Sequence, residues 1–386
     1  MTLRIAVSGV GKRSVKVLQY LRAAMPDLRI VGYVDPASKL VDALGEDQPI
    51  PAFDDVDSML KSTQADLLFV GSPNHLHLDH ISSGLRAGVR VFCEKPVVVS
   101  YEQTWALAGL LQEYGTHRVM VGLVLRYAPQ IRDLSKALED GQLGQLVSLE
   151  ANEHIEPQHG GFFMRDWRRY AHYSGGFMLE KCCHDIDIYQ MVTGSRVQRV
   201  ASFGGRRIFT PENAPTDNAT NDLYHTTPSL WETADDPFRS DADIIDHQNA
   251  LLQFENDITM SFHTNLNAPD QSRHFCIMGT KAMAEGDLER GYLRITEATS
   301  KERLLDVDYT QTADAMIDHY GSDKQMTIEI AEYLSGTRKE LPVSIVDAME
   351  AGVSAMAMDH ARRSGEIVDL SDTWARLDSY NLRNHP

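Results

Sequence analysis

The stretch Gly9-Val10-Gly11-Lys12-Arg13-Ser14 decides how the first part of this chain folds. A short apolar run at residues 3–7 comes before it, and a helical pattern of apolar residues at 15–21 comes after it. A second apolar run at 29–34 then ends at Asp35. Strand, glycine turn, helix, strand and acid in this order are typical of a βαβ unit that binds a dinucleotide.

Four positions of this unit have expected roles. Gly9 permits the tight turn, and Gly11 lets backbone N–H groups approach a pyrophosphate at the helix N-terminus. Asp35 accepts hydrogen bonds from the adenosine ribose hydroxyls and repels a 2′-phosphate, which favours NAD over NADP. Ser14 stands where a third glycine is common, but it is small enough for close packing. Two alternatives remain: a turn that binds no nucleotide, and NADP held partly by Lys12, Arg13, Ser38 and Lys39.

The composition is that of a globular protein long enough for two domains: 386 residues, of which 42% are hydrophobic and 24% are charged. The formal net charge of −18 argues against a nucleic-acid partner and against binding to anionic membrane surfaces. No apolar run approaches the roughly 20 residues of a membrane span, and the chain begins without a charged and apolar leader. We therefore expect a cytoplasmic protein.

The four cysteines include no CxxC pair. Cys182 and Cys183 are adjacent and cannot readily bond to each other, so free thiols are expected. A metal site at Cys182-Cys183-His184 would need a second group of ligands, which the sequence does not show. We predict no metal.

The first 125 residues alternate strands and helices, which predicts an α/β domain with a parallel sheet covered on both faces. The predicted strands are 4–8, 29–35, 67–72, 89–94 and 119–123, and the predicted helices are 12–22, 56–61, 77–87 and 101–114. Ligands of such sheets bind beyond the carboxyl ends of the strands. The glycine turn, Asp35, residues 71–74 and residues 94–96 are therefore expected to share one cleft.

Residues 126–386 are predicted to form an α+β domain with a mostly antiparallel sheet. Helices are expected at 128–138 and 176–192, strands at 146–153, 197–203, 249–254, 258–265, 273–278 and 291–296, and turns at 255–257 and 286–287. Residues 208–245 are rich in Pro, Asn, Thr, Asp and Ser, and are predicted to be an insertion, either a flexible loop or a lid or subunit arm. A helix at about 344–363 is expected to pack back on the first domain.

Glu94-Lys95-Pro96 follows a predicted strand and contains the first candidate for chemistry. A lysine at a strand end in a cofactor cleft is well placed to donate a hydrogen bond to a substrate oxygen. Read alone, the tripeptide equally fits a surface lysine that pairs with its neighbouring glutamate.

Glu180 and His184 lie at positions i and i+4 of the predicted helix at 176–192, so they are expected to share one face. A carboxylate beside an imidazole fixes the tautomer of the ring, and such a histidine can take a hydroxyl proton as a hydride leaves the same carbon. The alternative is a histidine on the helix surface. In the preceding loop, Trp167 and Arg168 could cap a nicotinamide or hold sugar hydroxyls, or could simply form a basic surface loop.

Together these motifs resemble those of the glucose–fructose oxidoreductase/inositol dehydrogenase (Gfo/Idh/MocA) family. The resemblance covers almost the whole chain and rests on Ser72-Pro73-Asn74-His75-Leu76-His77, Glu94-Lys95-Pro96, Gly141-Gln142-Leu143-Gly144, the segment 175–187, Gly279-Thr280-Lys281 and His319-Tyr320-Gly321-Ser322-Asp323. It implies a Rossmann domain followed by an open-faced antiparallel sheet, whose outer face often forms an oligomer interface. Most members oxidise or reduce sugars, cyclitols and related polyols with NAD or NADP.

The resemblance makes Lys95 and His184 the catalytic residues, with Glu180 in the place of an acid that is usually aspartate. Val124 departs from the family, where asparagine is common at this position. The predicted cofactor-binding residues are Gly9, Gly11, Lys12, Arg13, Asp35, Ser72, Pro73, Asn74, His77, Glu94, Lys95, Trp167 and Arg168. The predicted substrate-binding residues are Lys95, Arg126, His154, Trp167, Glu180 and His184.

We therefore expect an NAD-dependent dehydrogenase that oxidises a secondary alcohol of a sugar, anhydrosugar or cyclitol to a ketone or lactone. His184 is expected to take the hydroxyl proton while a hydride moves to C4 of the nicotinamide, and Lys95 to hydrogen-bond the reacting oxygen. The resemblance also implies a homo-oligomer, a dimer or a tetramer. Two alternatives are a redox glycosidase that uses tightly bound NAD transiently, and a non-catalytic nucleotide-dependent sensor.

Overall fold

The computed structural model describes residues 2–37, 39–226, 233–311 and 318–384. Ser38 and part of the predicted insertion lie outside these residues. The chain forms two compact units, of which the first contains Met1–Tyr127, Ser322–Val353 and Thr373–Pro386, and the second contains Ala128–Gly321 and Ser354–Asp372. The first unit thus includes two C-terminal segments, whereas the predicted division placed all residues after 125 in the second domain.

The first unit is built on a parallel sheet of five strands, as predicted. Its strands are β1 (Arg4–Ser8), β2 (Arg29–Val34), β3 (Leu67–Val70), β4 (Arg90–Cys93) and β5 (Val119–Val121). Its first four helices are α1 (Lys12–Ala24), α2 (Val56–Thr63), α3 (His77–Arg86) and α4 (Tyr101–Tyr114). The strand order is β2-β1-β3-β4-β5. All four residues of β3 are buried, because a parallel sheet in an α/β unit is covered on both faces.

The strand order reverses between β1 and β3, so the turns after these two strands lie side by side at the carboxyl edge of the sheet. This switch point is where doubly wound sheets bind their ligands. The predicted site residues of the first unit follow β1, β2, β3 and β4 at this edge, apart from Arg126, which follows β5.

The second unit contains the remaining strands and most of the remaining helices. The strands are β6 (Leu146–His154), β7 (Val197–Gly205), β8 (His247–Phe254), β9 (Thr259–Asn265), β10 (His274–Gly279), β11 (Ala282–Asp287), β12 (Tyr292–Glu297), β13 (Arg303–Asp308) and β14 (Val368–Asp369). The helices are α5 (Pro129–Glu139), α6 (Pro157–Arg165), α7 (Ala171–Ser174), α8 (Phe177–Glu180), α9 (Cys183–Thr193) and α10 (Asn218–Leu223).

Three further helices lie in the C-terminal part of the chain. They are α11 (Ser322–Ser335), α12 (Ile345–Ser364) and α13 (Ser371–Asp378). Helix α11 belongs to the first unit, and α12 begins in the first unit and ends in the second. Short 3-10 helices are found at Val41–Leu44, Asn74–Leu76, Thr116–Arg118, Val124–Tyr127, Trp167–Arg169, Pro211–Asn213, Tyr309–Gln311, Asp318–Gly321 and Leu382–Asn384.

The second sheet has nine strands in the order β13-β12-β11-β10-β6-β9-β8-β7-β14, and it is antiparallel except where β6 pairs with β9. Side chains alternate between two faces along each strand. On β6, Leu149 and Glu153 are buried on the inner face, where Glu153 meets Lys181 just before α9. Phe203 and Leu251 point to the outer face and are 74% and 65% exposed. An open-faced, mostly antiparallel sheet was predicted and is confirmed.

Two local expectations for the second sheet were wrong. Gly286 and Asp287, predicted as a turn, end strand β11 instead, because they pair with β10 on one side and with β12 on the other. Gly286 has a packing role there, since an added Cβ would lie 2.5 Å from the Phe275 ring. In addition, strands β11, β13 and β14 were not predicted. The turn at Glu255-Asn256-Asp257 is confirmed, with Asp257 at a φ of 64°.

None of the described helices is both long and apolar enough to cross a membrane. All four cysteines are buried and free, as expected.

Candidate active site

The glycine turn after β1 packs directly against the turn after β3. Gly9 has a φ of 84°, and an added Cβ would overlap the backbone nitrogen of Ser72. Ser14 is fully buried, and an added Cβ on Gly71 would overlap its hydroxyl oxygen. Because Gly71 has no side chain, the Ser14 hydroxyl fits against it, and the third glycine of the motif is not needed at position 14.

Gly11 has a different role from Gly9, because its packing does not require glycine. An added Cβ there would meet no atom within 4 Å. Gly11 is the N-cap of α1 and provides no side-chain cap, and no acidic residue lies in the first turn. The N-terminus of α1 is thus an open surface of backbone N–H groups with a positive dipole end, which fits a pyrophosphate.

Asp35, at the end of β2, faces this turn. Its carboxylate accepts hydrogen bonds from the Val10 amide at 2.7 Å and from the Ala37 amide at 2.7 Å. Each carboxylate oxygen can accept a second hydrogen bond. The carboxylate therefore braces the glycine turn at the edge of the sheet where the ribose is predicted to bind.

Arg13 does not extend freely from α1 as a phosphate ligand would. Its Nε donates to Glu94 at 2.9 Å, and Nη1 donates to Asp323 at the start of α11. Burial alone would lower the pKa of Arg13, but the two carboxylates outweigh it and raise the pKa above its usual value. Lys12, one residue earlier, is exposed.

The turn that carries Lys95 is held from two sides. Glu94 binds Arg13, and its carboxylate fills the space that Gly122 leaves, where an added Cβ would lie 2.7 Å from Oε2. His77 bridges the turns after β3 and β4, with Nε2 2.8 Å from the Ser72 carbonyl and Nδ1 2.7 Å from the Pro96 carbonyl. Lys95 itself is half-buried, and the Lys95–Pro96 peptide is cis.

Asn74 and His80 complete this edge of the sheet. Asn74 is 3% exposed and begins the short helix before α3. His80 was not predicted: its Nδ1 lies 2.9 Å from the Ser8 hydroxyl and 3.0 Å from the Ser72 hydroxyl. Burial, and the nearby His77, lower the pKa of His80 to about 4, so its ring is neutral at pH 7. The sequence carried no signal for this contact beyond a histidine on α3.

Arg126 follows β5, and its side chain contacts the C-terminal part of the chain. Its Nη1 donates to the Pro342 carbonyl at 2.9 Å and lies 3.5 Å from the carboxylate of Asp347. The side chain is only 8% exposed. Arg126 therefore helps to hold the C-terminal segment, and its role as a substrate ligand stays a prediction.

In the second unit, Trp167 and Glu180 both contact Arg168. Arg168 donates from Nε to Glu180 at 2.8 Å and from Nη1 to Asp166 at 2.7 Å. Its guanidinium lies 4.3 Å from the centroid of the Trp167 ring, within range of a cation–π contact. Burial alone would lower the pKa of Arg168, but Glu180 and Asp166 outweigh it and raise the pKa. The contact of Asp166 with Arg168 was not predicted, because the recognised motif contains Trp167 and Arg168 but not Asp166.

The predicted helix at 176–192 is interrupted. Helix α8 ends at Glu180 and α9 begins at Cys183, with a tightened turn in which the Asp185 amide donates to the Cys182 carbonyl. Glu180 and His184 therefore lie on two helices, and the regular i,i+4 spacing does not describe them. His184 is half-buried in the first turn of α9, whereas Glu180 is 4% exposed.

The interruption coincides with a buried group of charges on the inner face of the sheet. Lys181 Nζ lies 3.0 Å from Glu153. Arg273 binds the other oxygen of Glu153 and lies 3.0 Å from Asp185. Glu153, Arg273 and Asp185 are at most 2% exposed. This network holds both ends of the segment that carries His184.

Replacing Asp185 with asparagine is expected to stabilise the protein more at pH 8 than at pH 5. Burial is the main cause that raises the pKa of Asp185, to about 7. The negative charge of Glu153 also raises it, whereas the positive charge of Arg273 lowers it. The folded state then holds a proton that the unfolded state releases near pH 4, so wild-type stability falls as pH rises toward 8. The variant lacks this titration, so its free energy of unfolding relative to wild type should rise by roughly 1–3 kcal/mol between pH 5 and pH 8.

Urea unfolding at both pH values measures this difference. Asp27→Asn is the matched control, because Asp27 is exposed. A difference between Asp185→Asn and wild type that is the same at both pH values would contradict the expected titration.

His154 lies apart from Glu180 and His184, on the outer face of the sheet. Strand alternation puts it on the opposite face from its neighbour Glu153. Its Nε2 is 2.9 Å from Nδ1 of His263, and its Nδ1 is 3.2 Å from the Ser272 hydroxyl. The role of His154 as a substrate ligand stays a prediction, and the contacts described give it no support.

The described parts of the insertion at 208–245 are packed, unlike a flexible loop. Phe209, Tyr224 and Phe238 form a buried aromatic cluster with centroids 4.9–5.8 Å apart. The cluster sits close to α6, because an added Cβ on Gly161 would lie 2.7 Å from the Tyr224 carbonyl. Asp243 donates from its amide to the Arg169 carbonyl at 3.0 Å. The insertion therefore supports the segment that carries Trp167 and Arg168.

These observations define a protein with a dinucleotide-type α/β unit and a second unit built on an open-faced sheet. A profile of the oxidoreductase family with an NAD-binding Rossmann fold matches residues 3–123, and a profile of the GFO/IDH/MocA C-terminal domain matches residues 131–285. Together they cover more than half of the chain. The chain belongs to the Gfo/Idh/MocA family.

Individual relatives are distant. The chain is 24% identical over 200 residues to inositol 2-dehydrogenase of Corynebacterium glutamicum, covering 52% of this chain and 56% of that protein. It is 25% identical over 205 residues to 2,7-anhydro-N-acetylneuraminate hydratase of Mediterraneibacter gnavus, covering 53% of each. The matched region thus spans little more than half the length of these relatives.

The fold has a full-length counterpart among solved structures. A levoglucosan dehydrogenase, in complex with NADH and levoglucosan, superposes with a TM-score of 0.77 and 17% identity. The match covers 96% of this chain and 100% of that chain. At this identity the likeness concerns the fold.

Proposed function

We propose that this protein is an NAD-dependent dehydrogenase that oxidises a secondary alcohol of a sugar, anhydrosugar or cyclitol to a ketone or lactone. The observation that carries the proposal is the position of Lys95. It follows β4 at the same carboxyl edge of the parallel sheet as the open N-terminus of α1 and Asp35. The names of an inositol dehydrogenase and a levoglucosan dehydrogenase among the similar proteins support this substrate class.

The cofactor would be held by the residues that surround the glycine turn. The α1 N-terminus at Gly11 suits the pyrophosphate, and Asp35 suits the adenosine ribose. When bound, the nicotinamide supplies the hydride acceptor. Asp35 also disfavours a 2′-phosphate, and Arg13, engaged by two carboxylates, is not available to offset it. NAD is therefore the proposed cofactor.

Lys95 and His184 are proposed to act on the same hydroxyl group. The imidazole of His184 takes the hydroxyl proton as the C–H bond breaks and the carbonyl forms. The ammonium of Lys95 donates to the reacting oxygen and stabilises its developing charge. The buried network of Glu153, Arg273 and Asp185 holds the segment that carries His184.

Glu180 is proposed to bind substrate hydroxyls together with Arg168. Replacing Glu180 with glutamine is expected to raise KM for the substrate by about tenfold, because an amide is a weaker acceptor than a carboxylate and no longer pairs with the Arg168 guanidinium. NADH affinity is expected to change little. Steady-state kinetics and NADH titration measure the two effects, with Glu139→Gln as a control on α5 outside the proposed site. An unchanged KM would contradict the role of Glu180.

Substrate-dependent formation of reduced nicotinamide tests the proposed function. The purified protein is mixed with NAD or NADP and a panel of inositols, aldoses and anhydrosugars. A rise in reduced-nicotinamide absorbance with NAD and one or more of these polyols is the expected result. No rise with any of them, in protein that binds NADH, would contradict a dehydrogenase of this substrate class.

One relative favours a second candidate. The hydratase of Mediterraneibacter gnavus is named for a reaction without net redox change. A redox glycosidase, which would use bound NAD transiently, would also catalyse a reaction without net redox change. Product formation from a glycoside or anhydrosugar without net accumulation of NADH would favour it over the dehydrogenase.

We also propose that the protein is a homodimer or homotetramer. Phe203 and Leu251 lie on the neighbouring strands β7 and β8 and are among the most exposed large apolar side chains described. A second copy on this outer face would bury them. Sedimentation equilibrium of the purified protein is expected to yield two or four times the chain mass, and a monomer at micromolar concentration would contradict it.

A further inference from the structure

Arg13 lies in the first turn of α1, at the helix end that is proposed to bind the pyrophosphate. Its guanidinium nevertheless pairs with carboxylates of the protein. Arg13 binds Glu94, in the turn of Lys95, and Asp323, at the start of α11. Lys16 lies 3.6 Å from Asp323 on the next turn of the helix. Arg13 and Lys16 thus both contact Asp323, and Arg13 also joins it to Glu94.

The carboxylates of Glu94 and Asp323 need a cation. Their side chains are 9% exposed for Glu94 and fully buried for Asp323. Water therefore cannot replace the charge of Arg13, and an uncompensated buried carboxylate is costly. It would also oppose the positive N-terminus of α1, where a pyrophosphate is proposed to bind.

We infer that Arg13 is a positioning residue that neutralises Glu94 and Asp323 beneath the cofactor site, and is not itself a ligand of the cofactor phosphates. This inference rests on the proposed cofactor site. It also ties the glycine turn to the turn of Lys95, because one guanidinium joins the helix that follows the first turn to the glutamate that precedes Lys95.

The inference predicts that the loss of NADH affinity on replacing Arg13 depends on whether Glu94 and Asp323 keep their negative charges. Arg13→Met is expected to weaken NADH binding by about tenfold, because Glu94 loses its guanidinium partner and Asp323 loses one of its cations near an anionic ligand. Glu94→Gln or Asp323→Asn in the same chain is expected to restore most of the affinity. If Arg13 held the phosphates itself, neither second substitution would help.

The experiment is an NADH titration by fluorescence of wild type, Arg13→Met, Glu94→Gln, Asp323→Asn, both double variants and Arg22→Met. Arg22 is the matched control, since it lies on the same helix and pairs with a different carboxylate, that of Glu46, at 2.5 Å. The supporting result is weak binding by Arg13→Met, with both double variants within about threefold of the corresponding carboxylate variant.

Two results would overturn the inference: unchanged NADH binding by Arg13→Met, or double variants as weak as Arg13→Met itself. Failure of the proposed function has a different signature, in which the wild-type protein does not bind NADH at all. Arg13→Lys tests the charge alone and is expected to bind NADH more tightly than Arg13→Met, because lysine keeps the cation.

Discussion

Replacing Lys95 with methionine is expected to lower kcat by about 10²–10³-fold while leaving NADH affinity within about threefold of wild type. Methionine has a similar length but cannot donate a hydrogen bond to the reacting oxygen. The surrounding turn should persist, because it is held by Glu94 through Arg13 and by Pro96 through His77. Steady-state kinetics with the substrate found in the panel, and NADH titration, measure the two quantities.

Lys136→Met is the matched control for this substitution. Lys136 lies on α5 with a side chain that is 74% exposed, so its loss should affect neither kcat nor NADH binding. A Lys95→Met protein that binds NADH normally and keeps near-normal turnover would remove Lys95 from the mechanism. A variant that fails to bind NADH would instead assign Lys95 a role in cofactor binding.

Replacing His184 with alanine is expected to lower kcat by about 10²–10⁴-fold, because no other group is proposed to take the hydroxyl proton. Added imidazole is expected to restore part of the activity, since a free base can enter the space left by the side chain. The activity that remains without imidazole should lose the dependence on pH that the proton acceptor confers. Steady-state kinetics across pH, with and without imidazole, provide the measurement.

His360→Ala is the control for the imidazole effect. His360 is exposed on α12, so its variant should keep full activity and show no response to imidazole. Turnover of His184→Ala close to wild type would assign proton transfer to another group. Lys181, three residues earlier and paired with Glu153, would then be the next residue to substitute.

The parallel sheet was predicted well because its signals are local. Strand β1 and helix α4 have the predicted bounds, and the apolar runs that form β1 and β3 are continuous because both faces are covered. The glycine turn was also readable, since Gly9 adopts a conformation that side chains disfavour. The order of the motifs along the chain then located the carboxyl edge of the sheet.

The partners of the predicted polar residues were not readable in the same way. Arg13 was predicted to serve the cofactor, and its partner Asp323 lies 310 residues away in sequence. Arg126 was predicted to bind substrate, and its partner Pro342 lies 216 residues away in sequence. Sequence spacing carries no information on such pairs, because each depends on where distant segments return to the fold.

The face of a strand and the continuity of a helix were also decided by packing. A shift of one residue moves a side chain to the other face of a sheet, and His154 lies opposite Glu153 for this reason. The apolar and charged pattern at 176–192 predicts one helix, yet the chain turns tightly at Cys182 beside the buried charges around Glu153.

The class of fold, the family, the turns that follow the parallel strands and the residue types available for chemistry could all be predicted from the sequence alone. These depend on local periodicity, on glycine conformations and on motifs whose members are close in the chain. The three-dimensional structure was needed to show which carboxylates hold Arg13 and Arg168, and that His154 lies on the outer face of its sheet. Ion pairs between remote segments, and the choice of a buried face, arise from three-dimensional packing and not from the order of residues.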